Sequence, residues 1–169
     1  MAWQDIAKNP TVQRWAGGLV ISIAGLVALQ GHEGERYAVY LDIAGVPTDC
    51  MGNTRGLTRA DVGTVRTKEY CDRVDRANVV IAQDAVRAYV TVPISQNQFD
   101  ALVDFTFNLG IGALRTSTLL SRLNDGDCFG AAAEFTKWDK ARVQGVLRPV
   151  QGLTFRRADN RKTFEADCK

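Results

Sequence analysis

At 169 residues, the chain is long enough to form one domain with a substantial hydrophobic core. Charged residues make up 24% of the sequence and hydrophobic residues 46%, which excludes a disordered or low-complexity chain. The net charge of +2, without a run of lysine and arginine, argues against a nucleic-acid-binding protein.

The N-terminal part consists of a short polar leader, residues 1–14, and an uncharged segment, residues 15–31. Lys8 and Arg14 precede the uncharged segment and Glu33 follows it, so the positive-inside rule places the N-terminus in the cytoplasm. As a helix, these 17 residues would extend about 25 Å, which is short of a hydrocarbon core of about 30 Å. Four of them are glycines, so we expect a weak membrane helix.

Four interpretations of residues 15–31 are open. They are a cleaved signal peptide with its site at residues 22–24, a permanent anchor, a buried helix of a cytosolic protein, and a membrane helix that later leaves the bilayer. The last is favoured, because the segment is apolar enough to be inserted but contains many glycines. After release, one apolar stripe would pack against the soluble domain. Its members are Leu19, Val20, Ile23, Leu26 and Val27.

The next elements are a small sheet and a series of helices. Alternating apolar residues and glycines in residues 36–56 predict a β-hairpin or a three-stranded sheet. A helix follows Thr67, and Pro93 interrupts the helical pattern. Ser95 caps the next helix, with Gln98 as its capping-box partner.

That capped helix buries Phe99, Leu102 and Phe105 and is closed by Gly110 and Gly112. The remaining pattern predicts helices over residues 117–126, 131–138 and 153–168. The fold class is therefore α+β, with a small sheet lobe and a larger helical lobe.

The four cysteines are widely spaced and lack the C-x-x-C pattern of zinc or redox sites. His32 is the only histidine, so we expect neither a metal nor a cofactor. The cysteines can pair in three ways, and two disulfides would make sense only outside the cytoplasm.

Two acids, Glu33 and Asp42, lie in unlike surroundings. Glu33 ends the apolar segment, where apolar neighbours would keep its carboxyl group protonated, whereas Asp42 lies among glycine and turn residues. Hydrolysis of a glycosidic bond requires a protonated carboxyl group at the leaving oxygen and a second carboxylate that controls water or the sugar cation. Thr48 would help Asp42 hold the water. The alternative is that both acids are ordinary surface charges.

The spacing of these residues, Glu33, eight residues, Asp42, five residues, Thr48, resembles the catalytic signature of the phage lysozyme family, glycoside hydrolase family 24. Residues 48–54 are also similar to the family's hairpin segment T-x-C-Y-G-H-T. Met51 and Asn53 depart from it, since they replace the usual tyrosine and histidine.

The resemblance continues to about residue 161. Residues 105–110 resemble the family's F-x-F-N-x-G motif, and residues 117–127 resemble its S-T-L-L-x-x-L-N-x-G-D motif. Further landmarks are Phe135, Trp138, Gly152, Leu153, Arg156 and Arg157.

This resemblance implies a monomeric muramidase with the two-lobed lysozyme fold and peptidoglycan as its substrate. The enzyme would cleave between N-acetylmuramic acid and N-acetylglucosamine in the cleft between the lobes. Glu33 would be the general acid, and Asp42 with Thr48 would position and activate water. The catalytic domain would span residues 32–169, after a leader and membrane helix over residues 1–31.

Residues 15–31 resemble the signal-arrest-release (SAR) anchors of a subset of phage endolysins. The resemblance implies export by the bacterial host, an inactive stage tethered to the inner membrane, and release into the periplasm. This anchor contains no cysteine, which excludes activation by disulfide exchange within it. We expect instead that refolding of residues 15–31 onto the body assembles the site.

Alongside this resemblance, we expect the disulfides Cys50–Cys71 and Cys128–Cys168, the alternative being four buried thiols. The first would close a loop of about 20 residues, brace the hairpin with Thr48 and contribute about 3 kcal/mol.

Two rival functions are a lytic transglycosylase and a non-catalytic protein that inserts in the membrane or binds the wall. Several further residues are candidates with an ordinary structural alternative. They are His32 beside Glu33, Glu35 as a rival acid, Asn108 as a substrate contact, and Arg156 and Arg157 as contacts to an acidic wall or supports of the last helix.

Overall fold

The computed structural model describes residues 18–33, 36–42, 44–143 and 145–169, with Glu33 represented by its backbone alone. The leader, residues 15–17 and Glu35 therefore lie outside the described residues.

The helices are α1 (Ile23–Glu33), α2 (Lys68–Tyr89), α3 (Gln96–Leu109), α4 (Ile111–Thr116), α5 (Thr118–Asn124), α6 (Cys128–Glu134) and α7 (Gln151–Glu165). The strands are β1 (Arg36–Leu41), β2 (Pro47–Cys50), β3 (Lys140–Val143) and β4 (Val146–Pro149), and 3-10 turns cover Arg59–Asp61 and Phe135–Trp138. The predicted α+β class is confirmed.

Helix α1 begins later than the apolar pattern predicts and continues to Glu33. Ser22 starts it, since its carbonyl accepts from the N–H of Leu26 at 2.9 Å and its hydroxyl accepts from the N–H of Gly25 at 3.0 Å. Residues 18–22 are not helical. The predicted boundary between the membrane helix and the catalytic domain, at residues 31 and 32, falls inside α1. The later part of the apolar segment and the backbone of Glu33 therefore belong to one helix.

Side chains of α2 and α3 hold residues 19–22 and explain why this part is not helical. Their backbone groups are bound by a docking site of four residues: Gln83, Arg87, Gln96 and Asp100. Each bond takes up a donor or acceptor that a continuous helix would have used internally. Tertiary hydrogen bonds therefore replace the helical ones over this stretch.

The prediction that one apolar stripe of this segment packs against the body is wrong for three of its five residues. Val20, Ile23 and Val27 are 62%, 85% and 62% exposed. Leu29 is instead the fully buried residue of α1, and it packs with Met51 and Val79. None of the helices within the described residues is long and apolar enough to cross a membrane.

The first sheet is the predicted hairpin, formed by the antiparallel strands β1 and β2. Tyr40 pairs with Thr48 and Leu41 with Pro47, and the register is irregular toward the start of β1. The turn between the paired ends includes Gly45, which has a φ of +78°. Glycine suits this position because a side chain would be strained there.

The predicted starts of the two long helices and the predicted capping box are confirmed. Thr67 caps α2 by accepting from the N–H of Tyr70 at 3.2 Å, and Ser95 with Gln98 forms a capping box at α3. Gly110 ends α3 with a φ of +85°. Gly112 does not close that helix but lies inside α4, because the chain turns at Gly110 alone.

The main core lies between α3 and the helices around it. Phe105 contacts the rings of Phe135 and Trp138 edge to face, with centroids 5.6 and 5.4 Å apart. Phe135 makes a similar contact with Phe164 at 5.4 Å, which joins α7 to the cluster. These contacts, with the full burial of Phe105, confirm it as a core residue.

Both predicted disulfides are present. Cys50–Cys71 joins the end of β2 to α2, and Cys128–Cys168 joins α6 to the C-terminal segment. The alternative of four buried thiols is therefore wrong.

A second hairpin, β3 and β4, lies between α6 and α7 and was not predicted. Its strands are only four residues long and its residues are exposed or half-buried, so they lack the apolar alternation that marks a packed strand.

Candidate active site

The hairpin turn after β1 holds Asp42 in a defined orientation. The backbone N–H groups of Ala44 and Val46 both donate to Asp42 Oδ1 at 2.8 Å. The backbone of Asp42 in turn donates to the Val46 carbonyl at 3.0 Å. No described residue donates to Oδ2, so this second carboxylate oxygen is available to a water or a substrate.

Thr48 is bound to the same turn. It is 3% exposed, and its hydroxyl donates to the Val46 carbonyl at 2.9 Å. Val46 therefore connects the two predicted site residues, because its N–H binds Asp42 and its carbonyl accepts from Thr48. Sequence reasoning did not select Val46, and no feature of its side chain marks it, since only backbone groups are involved.

Glu33 is the last residue of α1, and its side chain lies outside the described residues. The structure therefore brings Asp42 and Thr48 together on one turn but leaves the distance from Glu33 to Asp42 untested.

His32, one residue before Glu33, joins α1 to two other helices. Its Nδ1 lies 3.3 Å from Asp104 Oδ1 on α3, and its Nε2 lies 3.3 Å from Asp159 Oδ2 on α7. The hydrogen bond with Asp104 is the main reason that the pKa of His32 is raised above its ordinary value of 6.5, although burial opposes it.

Asp104 is the centre of this buried network. Arg156 donates to it through Nε at 3.0 Å and Nη2 at 2.9 Å, and Asn160 donates through Nδ2 at 2.7 Å. Burial alone would raise the pKa of Asp104, but the hydrogen bond from His32 and the charge of Arg156 outweigh it and hold the pKa far below the ordinary range. The carboxylate is therefore ionised at neutral pH.

Neither Asp104 nor Asp159 was selected from the sequence. The available signal was the pair Asp100 and Asp104, two acids four residues apart on a helix that also contains Phe99, Leu102, Val103 and Phe105. The arginines Arg156 and Arg157 are buried, at 4% and 0% exposure, which favours the alternative that they support the last helix over contact with an acidic wall.

A groove of about 300 Å³ lies between the segment after β2 and the end of α3. Polar side chains on its walls are Asn53, Thr54, Arg55, Asn78 and Asn108. Asp42 and Thr48 are not among its described lining residues, although Thr48 lies in the hairpin that leads into Gly52. A larger groove, about 670 Å³, lies between α1 and α2 and includes neither Asp42 nor Thr48.

Asn108 lines the smaller groove and accepts a hydrogen bond from Arg157. The amide is thus oriented by a buried guanidinium group, which agrees with its selection as a candidate contact without testing that role.

The two residues that depart from the family hairpin segment have internal contacts. Met51 is buried against Leu29 and Val79. Asn53 donates to Asp49 Oδ1 at 2.8 Å and accepts from Asn78 Nδ2 at 3.3 Å, which connects the hairpin to α2. The departures are therefore accommodated within the fold.

Comparison with known proteins agrees with these features. The phage lysozyme family model matches residues 30–160. An endolysin of Acyrthosiphon pisum secondary endosymbiont phage 1 is 40% identical over 146 residues, which cover 86% of this chain and 98% of the relative. A SAR-endolysin of bacteriophage PS119 is 31% identical over 147 residues, covering 83% of this chain and 86% of the relative.

Among solved structures, an endolysin from Escherichia coli O157:H7 phage FAHEc1 superposes with a TM-score of 0.75 at 33% identity, covering 88% of this chain and 94% of that one. The lysozyme-like arrangement of a small sheet lobe and a helical lobe is therefore confirmed. With a family match over most of its length and two disulfides in the expected places, this chain belongs to the phage lysozyme family.

Proposed function

We propose that this protein is a phage endolysin of the muramidase type, which hydrolyses the β-1,4 bond between N-acetylmuramic acid and N-acetylglucosamine in peptidoglycan. The observation that carries the proposal is the turn in which Val46 holds both Asp42 and Thr48. In a member of the phage lysozyme family, this turn contains two of the three residues expected to act.

In the proposed reaction, the Glu33 carboxyl group donates its proton to the glycosidic oxygen as the bond from that oxygen to the sugar carbon breaks. A water attacks the carbon and passes a proton to Asp42. Exchange with solvent then returns the proton to Glu33 and removes the one on Asp42. If the water attacks the face opposite the leaving group, the product has the inverted configuration.

The hydrogen bonds around Thr48 suit the task of holding this water. Because its hydroxyl proton is donated to the Val46 carbonyl, the Thr48 oxygen is left to accept a hydrogen bond from the water. Oδ2 of Asp42, to which no described residue donates, can accept a hydrogen bond from the second hydrogen of the water. Thr48 and Asp42 would thus direct the water lone pair toward the sugar.

The test compares the wild-type protein with Glu33→Gln and Asp42→Asn on purified peptidoglycan, by zymography and by mass spectrometry of the products. The exposed Asp125→Asn is a matched control, because it removes the same charge elsewhere. We expect both site variants to lose at least about 100-fold in rate, as is typical of general acid and base residues, and the control to keep its rate.

Other outcomes support the rival functions. Products that lack one water would show a lytic transglycosylase. Lysis that persists in Glu33→Gln would show a non-catalytic wall-binding or membrane-inserting protein.

We further propose that the protein is exported as a SAR-endolysin, tethered to the inner membrane through residues 15–31 and then released into the periplasm. SAR-endolysins among its relatives support this. So does the docking site, since four side chains of α2 and α3 bind backbone groups of a segment that is otherwise apolar enough to enter a membrane.

Release and activity are linked through α1, because the helix that starts at Ser22 ends at Glu33. A membrane-held segment cannot occupy the docking site, and the backbone of Glu33 would then be displaced from the body. The test is fractionation of expressing cells, together with activity of a protein that lacks residues 1–30. Full activity of the shortened protein, or absence of the wild-type protein from membranes at every stage, would count against the proposal.

A further inference from the structure

We propose that His32 is a positioning residue for Glu33: its imidazolium ring, held between the carboxylates of Asp104 and Asp159, fixes the end of α1 against the helical body. This inference rests on the proposed role of Glu33 as the general acid. His32 itself is not placed in contact with the substrate.

The geometry is that of a clamp across three helices. Nδ1 of His32 lies 3.3 Å from Asp104 Oδ1 on α3, and Nε2 lies 3.3 Å from Asp159 Oδ2 on α7. A helix end has no further intrahelical partner for its last carbonyl groups and tends to fray. The residue that follows His32 is the last of α1, so a ring fixed to two other helices restrains the backbone from which the Glu33 side chain extends.

The ring must carry two protons to make both contacts. Neutral imidazole has one donor and one acceptor nitrogen, whereas an ionised carboxylate only accepts. Asp104 is held ionised by Arg156 and Asn160, and Asp159 is mostly exposed. A ring that faces a carboxylate at each nitrogen therefore binds both only as the imidazolium.

The charged groups around the ring come from two helices. Asp104 on α3 and Asp159 on α7 favour the imidazolium, whereas the charge of Arg156 on α7 opposes it. Lys162 of α7 also lies near the ring, since His32, Asp159 and Lys162 line one shallow groove. The positive ring also lies in the last turn of α1, where a cation interacts favourably with the helix dipole.

The first experiment uses nuclear magnetic resonance, because His32 is the only histidine of the chain and its ring signals need no assignment. The ¹⁵N shifts of the ring would be followed with pH in the wild-type protein. We expect the ring to be doubly protonated at pH 7. Its pKa should lie above the ordinary value of 6.5 and should be lower in Asp159→Asn than in the wild type. A neutral ring at pH 7 would overturn the proposal, whatever the protein hydrolyses.

The second experiment separates positioning from general support of the fold. Rates on soluble peptidoglycan fragments would be measured against pH for the wild type, His32→Gln, Asp159→Asn and the control Asp125→Asn. We expect kcat of His32→Gln to fall about 10- to 100-fold with little change in KM, as for a misplaced catalytic group. Apart from the decline caused by ionisation of Glu33, the kcat of the wild type should decline at alkaline pH with the pKa found for the ring, and this second decline should be absent in His32→Gln.

Asp159→Asn keeps the test valid if His32→Gln does not fold. The Asp159 carboxylate is 66% exposed, and its loss leaves the buried network around Asp104 intact. We expect kcat in Asp159→Asn to fall at a lower pH than in the wild type. Unchanged kcat and an unchanged alkaline decline in both variants would overturn the positioning role while leaving the hydrolase intact. Loss of the hydrolase proposal would instead appear as a wild-type protein without activity.

Discussion

Asp100 and Asp104 lie one helical turn apart on α3, and each holds one end of α1. Asp100 accepts from the N–H of Ser22 at 3.0 Å and from its hydroxyl group, while Asp104 binds the ring of His32. Both acids are buried, at 6% and 4% exposure. Carboxylates on α3 thus fix both ends of the helix that continues the predicted membrane segment.

The close approach of α1 to Asp100 predicts opposite effects for two glycines of the same helix. A methyl group on Gly25 would lie 2.6 Å from Asp100 Cγ, whereas one on Gly31 would contact nothing within 4 Å. We expect Gly31→Ala to stabilise the protein by up to about 1 kcal/mol through helix propensity. Gly25→Ala should destabilise it by about 1–3 kcal/mol, because the buried carboxylate must shift.

Urea unfolding of these two variants and the wild type provides the measurement. A Gly25→Ala protein as stable as Gly31→Ala would show that α1 does not depend on this contact. If docking supports activity as proposed, Gly25→Ala should also lose activity on peptidoglycan and Gly31→Ala should keep it.

Thr48 offers a second matched pair. Thr48→Val keeps the size of the buried side chain but removes the hydroxyl group, whereas Thr48→Ser keeps the donor to the Val46 carbonyl. We expect kcat of Thr48→Val to fall about 10- to 100-fold because the water loses a positioning partner, with Thr48→Ser close to the wild type. Equal rates for the two variants on peptidoglycan would exclude a role for the hydroxyl group.

The disulfide Cys50–Cys71 should contribute to stability by bracing the hairpin against α2. Its loop of 21 residues predicts a loss of about 3 kcal/mol in the free energy of unfolding for the double variant Cys50→Ala, Cys71→Ala. Chemical denaturation with intact-mass analysis provides the measurement. The double variant should differ from the wild type by one disulfide, and an unchanged unfolding midpoint would contradict the bracing role.

The His32–Asp104 pair predicts how stability depends on pH. The pKa of His32 is raised in the folded state, so its contribution is fully present below about 6.5, the value in the unfolded chain, and is lost as pH rises through the folded pKa. The pKa of Asp104 is lowered, so its contribution is present above about 3.8 and is lost as pH falls toward the folded pKa.

Denaturation midpoints between pH 5 and pH 9 would test the first part. We expect the wild type to lose stability as pH rises through the titration of His32, and His32→Gln to lack this decline. A decline of the same size in His32→Gln would assign it to another group.

Much of the fold was predictable because its signals are local. The capping box of Ser95 and Gln98, the cap at Thr67 and the turn at Gly110 each depend on residues within one helical turn of each other. The hairpin that contains Asp42 and Thr48 is local in the same sense, and the spacing of these two residues from Glu33 was sufficient to indicate the family.

One missed feature depends on contacts between distant parts of the chain. Residues 19–22 have an apolar pattern that predicts a helix, but side chains more than 60 positions away bind their backbone, and the helix begins only after Ser22. The hairpin of β3 and β4 escaped prediction because its exposed residues show no periodic burial.

By itself, the sequence determined the class of fold, the helix caps, the family and the two acids expected to act, since each is encoded by residue types at short and fixed spacings. Only the tertiary structure showed that backbone groups of Val46 join Asp42 to Thr48. It also showed that Asp104 forms a buried network with His32 and with Arg156, which is fifty-two residues further along the chain. The physical reason for the Asp104 network is that a buried carboxylate is stable only where donors from other elements bind it. The sequence around the acid does not indicate which distant residues provide those donors.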